Sequence, residues 1–293
     1  MRNADGISIE ILTSVCTAQK KETSAKHCAS RDRLLSSILQ IMIGIFLLTF
    51  MAELTCSKTE IKQTVHDYIV EWLDLRRGMR PFFRLLKDEK KLSYMDFAFR
   101  GLRLVGIPDL YETLLWCVIG QQINLAFAYK LKRRLVEAYG QRVVSEGEEF
   151  YLFPAAETLA SARTSDLLRM QFSRQKAEYT LGISKLFASG ELNQGILQNL
   201  SAQERYDALV AVRGIGPWTA NYALMKTFRD MDAVPHGDAG LKNALKSHGL
   251  VRGSKNEKAV EKLFDRFSGW KSYLVLYLWR SLAPMPETVK EIS

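Results

Sequence analysis

At 293 residues the chain is long enough to bury a substantial core, as one large domain or two smaller ones. Lysine and arginine number 41 against 32 acids, a net charge of +9, which suits a polyanionic partner but also suits many basic proteins without one. The four cysteines (Cys16, Cys28, Cys56 and Cys117) are scattered with no C-x-x-C pair, so neither a zinc site nor a disulfide framework is indicated, and a reducing cytoplasm is the simplest compartment.

Residues 1–33 are polar and mixed in charge, with Ser8 to Val15 the one stretch that reads as strand. Residues 34–52, LLSSILQIMIGIFLLTFMA, hold no charge and follow Arg31 and Arg33. Nineteen residues are just enough to cross a bilayer as a helix, but the interruptions at Ser36, Ser37, Gln40 and Thr49 favour a buried segment of a soluble domain. The region before it is too long for a signal peptide.

From Thr59 the chain turns helical. Val65, Tyr68, Ile69, Trp72 and Leu73 give Ile61 to Leu75 an apolar face, and Met79 to Leu86 and Tyr94 to Leu102 read as shorter helices. Tyr111 to Ile119 is too apolar to be exposed on any side. Gly120-Gln-Gln122 interrupts it, and Asn124 is placed to cap a helix from Leu125 to Tyr139. Lys130, Lys132, Arg133 and Arg134 on that helix are phosphate contacts or simply a solvated face. Glu149 to Phe153 alternates like a strand. Two further helices are expected in residues 155–200: Thr164 to Met170, with Ser165 as cap, and Arg174 to Ser189, stopped by Gly190. Arg174 and Lys176 are candidate contacts to a polyanion. Overall, the pattern is mainly α.

Ser201-Ala-Gln-Glu204 has the S-x-x-E spacing of a capping box and starts a short helix. Arg213-Gly-Ile-Gly216 follows, and two glycines two apart allow a tight turn that leaves backbone N–H groups uncovered. Pro217 fits the first position of a second helix, where its missing N–H is not needed. On that helix Ala220, Ala223, Leu224 and Phe228 share a core-facing spacing, and Trp218 and Tyr222 stack four apart on another face. Val234-Pro-His-Gly-Asp238 then carries one carboxylate into the next element. Uncovered N–H groups at the positive end of a helix form an anion site that holds a phosphate without reading sequence. The plain alternative is an αα-hairpin whose glycines only end a helix. His236 and Asp238 lie two apart, but no G-x-S-x-G accompanies them to support a hydrolase triad. Near the end, Lys258 to Phe267 is amphipathic, and Trp270 to Leu282 carries Trp270, Tyr273, Tyr277 and Trp279, a stripe that suits core or pocket.

VRGIGPWTANYALMK followed by DAVPHGDAGL closely resembles the helix-hairpin-helix DNA glycosylases, and most closely the 3-methyladenine DNA glycosylase II type. The likeness extends to Gly106-Ile-Pro-Asp109, Gly120-Gln-Gln-Ile-Asn124, Trp270-Lys-Ser-Tyr273 and Tyr277-Leu-Trp279, and covers about residues 58–285. It implies a mainly α fold of two helical units flanking a cleft. A small α+β region, truncated or divergent here, would occupy 1–57, with the glycosylase domain at 58–293 and the hairpin motif at 201–230. It implies Asp238 as the catalytic carboxylate, and Trp218, Tyr222 and Trp279 as the base pocket, with Trp270 in the packing. Gly214, Ile215, Gly216 and Thr219 would bind the DNA backbone, and Gln122 would fill the hole left by an extruded base; alternatively Gln121 and Gln122 only satisfy loop backbone groups. Backbone carbonyls of Val210, Val212 and Ile215 would hold a sodium or potassium ion. With no cysteine after Cys117, the iron–sulfur cluster of some relatives has no ligands, and no other cofactor is implied.

The implied activity is hydrolysis of the N-glycosidic bond of alkylated purines, such as 3-methyladenine and 7-methylguanine, in duplex DNA, by a monomer without an obligate protein partner. Relatives that also nick the strand use a lysine where this chain has Trp218, and Lys226, two turns on, is not expected to reach. Where the family often carries an acid beside the catalytic one, this chain has Gly237. Two alternatives stay open: a glycosylase for deaminated or oxidised bases, and a DNA-binding module without catalysis.

Overall fold

The computed structural model describes residues 58–145, 148–251 and 257–283. The strand at Ser8 to Val15, the apolar run at 34–52 and the implied α+β region at 1–57 therefore lie outside the described residues. No described helix is long and apolar enough to cross a membrane.

The described chain divides into two units whose segments alternate along the sequence. One holds residues up to Ile69, Ile107–Leu200 and Val212–Gly214; the other holds Val70–Gly106, Ser201–Ala211 and the chain from Ile215. The first helix, α1 (Lys58–Trp72), runs across that division.

In the first unit the central element is α4 (Leu110–Gly120), capped by Asp109, whose carboxylate accepts from Glu112 N at 2.6 Å. Its side chains are buried from Leu110 to Ile119 except at Trp116, as its apolar sequence demands. The burial includes Glu112, which is paired at 2.7 Å with Lys132 of α5 (Leu125–Tyr139). Both members of that pair are nearly inaccessible, and removing one charge of such a pair costs about 3–5 kcal/mol. Lys132 is thus a core cation, not part of a solvated face. Arg134 is likewise occupied, donating to Met170 O and Gln171 Oε1.

An antiparallel hairpin follows, β1 (Arg142–Ser145) pairing with β2 (Glu148–Tyr151) in the register Val143 to Phe150. Only β2 was foreshadowed in the sequence. Four helices, not two, occupy 155–200: α6 (Ala156–Ala160), α7 (Thr164–Arg169), α8 (Arg174–Ser189) and α9 (Gln194–Gln198). The cap of α7 is not Ser165. Asp166 receives the Arg163 N–H at 3.3 Å, and the Ser165 hydroxyl is spent on Asp166. Helix α8 packs on α4, α6 and α7, begins with Ser173 accepting from Lys176 N, and stops at Gly190 in the left-handed conformation (φ +80°).

The second unit contains α2 (Arg80–Asp88), α3 (Met95–Ala98), α10 (Ala202–Val210), α11 (Pro217–Lys226), α12 (Ala239–Ser247), α13 (Glu257–Arg266) and α14 (Lys271–Ser281). Phe82 is fully buried and sits within 4.8–6.1 Å, centroid to centroid, of Phe267, Trp270, Tyr273 and Tyr277, an aromatic core in offset and edge-on arrangements. This is where most of the C-terminal aromatic stripe goes. Arg229 closes the far side of α11. Its guanidinium donates to Leu104 O, Glu71 O and Trp72 O, and Gly106 leaves room for it, since a Cβ there would lie 2.6 Å from Nη2.

Candidate active site

The capping box forms as its spacing predicts: Ser201 Oγ accepts from Glu204 N and Glu204 accepts from Ser201 N at 2.8 Å. Helix α10 then leads to the glycine turn, and α11 begins with Pro217 at its first position. Ile215 is buried and anchors the turn. Proline has no N–H, and the N–H groups of Trp218 and Thr219 donate to no described acceptor, the first intrahelical bond being Ala220 N to Gly216 O. Thr219 is buried as a whole residue, 2% exposed, so its side chain is not available to a phosphate.

On α11, Trp218 and Tyr222 lie one turn apart with ring centroids 5.1 Å apart and planes at 20°. The third ring, Trp279 of α14, lies 6.4 Å from Tyr222 at 41°. Asp238 ends the Val234–Gly237 segment and caps α12. Its Oδ1 accepts from Leu241 N at 2.6 Å and from Trp279 Nε1 at 2.8 Å, and its Oδ2 accepts from Trp218 Nε1 at 3.2 Å. The structure therefore brings Asp238, Trp218, Tyr222 and Trp279 together in one unit. The carboxylate stands at the positive end of α12, with both indoles aimed at it and an acceptor position on Oδ2 left over. His236 is exposed, and no hydrogen bond joins its ring to Asp238 among the described residues.

Gly240 was not singled out in the sequence, yet the assembly depends on it. A Cβ there would lie 3.1 Å from Asp238 Oδ1 and 3.3 Å from the Trp279 ring, so a side chain would push the indole away from the acid. The only signal was a glycine two residues beyond the acid.

Gln122 and the hairpin glycine Gly214 both fall in the first unit. Gln122 is exposed and has left-handed backbone (φ +56°), and its neighbour Gln121 donates from Nε2 to Gly214 O at 3.1 Å. Gly214 (φ +98°) is pressed on Tyr179, whose Cγ would lie 2.5 Å from an added Cβ, so both its φ and the close ring require glycine. Arg174 is exposed. Lys176 corrects its sequence reading: it is buried, and its ammonium donates to Val118 O, Ile119 O and Gln121 O, so it does not meet a ligand in solution. Burial lowers its pKa to about 8. Lys226 is half-buried on the Val105 carbonyl at 2.5 Å, with its pKa lowered to about 8 by burial and then by Arg229. Its ammonium makes no hydrogen bond to Asp238 among the described residues. No group of three or more His, Cys, Asp or Glu side chains fit for a metal ion occurs among the described residues.

Residues 115–268 match the family described as HhH-GPD superfamily base excision DNA repair protein. The chain belongs to this superfamily. The matched range carries Gln122, Lys176, the glycine turn, Trp218, Tyr222 and Asp238, and stops short of Trp279. A DNA-3-methyladenine glycosylase of Bacillus subtilis is 39% identical over 224 residues, 75% of this chain and 73% of the relative. DNA-3-methyladenine glycosylase 2 of Escherichia coli is 26% identical over 67% of this chain and 66% of its own length. Among solved structures, the 3-methyladenine DNA glycosylase of Archaeoglobus fulgidus superposes with a TM-score of 0.66 at 27% identity, covering 76% of this chain and 75% of that one.

Proposed function

We propose that this HhH-GPD protein is a monofunctional DNA glycosylase that hydrolyses the N-glycosidic bond of alkylated purines, 3-methyladenine and 7-methylguanine among them, in duplex DNA. The observation that carries this reading is the Asp238 carboxylate held between two indole N–H groups and a helix N-terminus, beside a stacked aromatic pair. The names of the similar proteins agree with it.

Breaking the bond between C1′ and the purine nitrogen sends the bonding electrons to the base and leaves positive charge on the deoxyribose. A fixed carboxylate facing that sugar stabilises the charge as it develops. Methylation at N3 or N7 has already made the base cationic, so it leaves neutral without a proton from an acid, and one carboxylate suffices. Water adds to C1′ and gives up a proton, for which Asp238 is the available acceptor. An electron-poor purine is also attracted to the faces of Trp218, Tyr222 and Trp279, whose quadrupoles favour positive charge. Gly214, Ile215, Gly216 and Thr219 would grip the backbone, and Gln122 would occupy the space the base leaves. The carbonyls of Val210, Val212 and Ile215 accept no hydrogen bond among the described residues, an oxygen donor set that fits sodium or potassium. A bound ion would add positive charge at the turn.

The test is release of 3-methyladenine from methylated duplex DNA. Asp238→Asn keeps the shape and removes the charge, and its rate should fall at least ~10²-fold, the scale of deleting one preorganised electrostatic group, while DNA binding persists. A wild-type protein that binds DNA and releases no base would leave a binding module. Because Trp218 stands where strand-nicking relatives carry lysine, borohydride should trap no covalent complex with lesion-bearing DNA; a trapped adduct would make the enzyme bifunctional.

A further inference from the structure

The first two turns of α8 meet both loops to which DNA contacts are assigned above. α4 ends at Gly120, leaving carbonyls without intrahelical partners. The Lys176 ammonium has three donors and gives them to Val118 O, Ile119 O and Gln121 O. The last of these belongs to the residue before Gln122, whose left-handed backbone (φ +56°) is uncommon for a side chain of its kind. Three residues along α8, Tyr179 forms the surface on which Gly214 rests. Gln175 fixes that ring by donating to its hydroxyl at 2.8 Å, and Arg213 stands over it at 5.9 Å while reaching Glu178 at 3.7 Å. Gln121 then links the two loops directly through Gly214 O.

We infer that Lys176 is a positioning residue for base extrusion: by holding the end of α4 it sets the Gln122 loop in its inserting conformation and in fixed register with the Gly214 hairpin. The inference rests on the proposed reading of Gln122 as the inserted residue. A lysine that merely capped a helix would be expected at the surface, where its charge stays hydrated. Lys176 is buried instead, and its lowered pKa records the cost of that placement. An exposed lysine in the same segment would bind a phosphate but would leave the Gln122 backbone free to relax to negative φ.

The experiment compares binding of the full chain to two duplexes, one undamaged and one carrying a tetrahydrofuran abasic analogue, and needs no catalysis. The quantity read is the preference for the abasic duplex. Gln122→Ala and Lys176→Met should each reduce that preference by roughly 10-fold, the scale of losing one charge-assisted contact. The double variant should fall no further than the worse single one, because Lys176 acts through Gln122. Lys176→Arg, which keeps charge and donors, should recover most of the preference, as a purely steric role would not allow. If Lys176→Met fails to fold, Lys176→Gln carries the same comparison. Multiplying losses in the double variant, or a full preference in the Lys176 variant beside a weakened one in Gln122→Ala, would overturn the inference. A Gln122→Ala protein with unchanged preference would instead remove the reading of Gln122, and the inference with it.

Discussion

Asp238 carries two loads on one carboxylate. Oδ1 closes the first turn of α12 through Leu241 N and also takes the Trp279 indole at 2.8 Å, while Oδ2 takes only Trp218, at 3.2 Å. The more heavily used oxygen fixes the group, and the other keeps an acceptor position that, in the proposed reading, would face a reacting water or sugar. The indoles therefore act as donors that aim the acid, besides being the proposed walls for a base. Trp279→Phe separates the two roles, because it keeps an aromatic face and removes Nε1–H. A hydrogen bond to a charged group contributes about 1.5–3 kcal/mol, so the single-turnover rate should drop at least ~10-fold with little change in affinity for lesion-bearing DNA. A variant that loses affinity and rate together would show that the ring face, not its N–H, is what matters. Gly240 belongs to the same device, since it lets the indole come this close.

At the level of elements, what the sequence made legible is what local chemistry decides. The Ser201 and Glu204 box, Asn124 on Phe127 N, Pro217 at the first helical position and Gly190 beyond α8 all form as their spacing predicts. Helices Leu125–Tyr139 and Arg174–Ser189 have the bounds expected from it. The pair Trp218 and Tyr222 follows from helical spacing alone. The short helices α6 and α9 and the strand β1 are not legible, because four or five residues carry too little periodicity and their conformation is set by neighbours distant in sequence. Lys176 was misread for the same reason. Its partners lie 55 to 58 positions earlier, and a lysine between Gln175 and Ala177 gives no sign that three carbonyls await it. Trp279 joined the site by resemblance, not pattern, since the same stripe supplies Tyr273 and Tyr277 to the core.

For the whole molecule, net charge overstates what is free to meet DNA. Lys132 is spent on Glu112, Lys176 on three carbonyls, Lys226 on Val105 O and Arg229 on three more. In the proposed reading what remains, with the N–H groups of the glycine turn, would contact phosphates on any sequence, damaged or not. Lesion preference would then come from uncharged contacts: the proposed aromatic pocket, and Gln122 as the proposed replacement for an extruded base. Each phosphate neutralised contributes roughly −0.9 to the slope of log K against log salt on duplex DNA. Affinities for undamaged and abasic-analogue duplexes should therefore fall steeply and in parallel as salt rises, leaving their ratio constant. Fluorescence titration of both duplexes across a salt series measures this directly. A ratio that shrinks with salt would mean that recognition of the lesion itself recruits additional cations. The assignment of grip to the hairpin and discrimination to Gln122 and the pocket would then have to be redrawn.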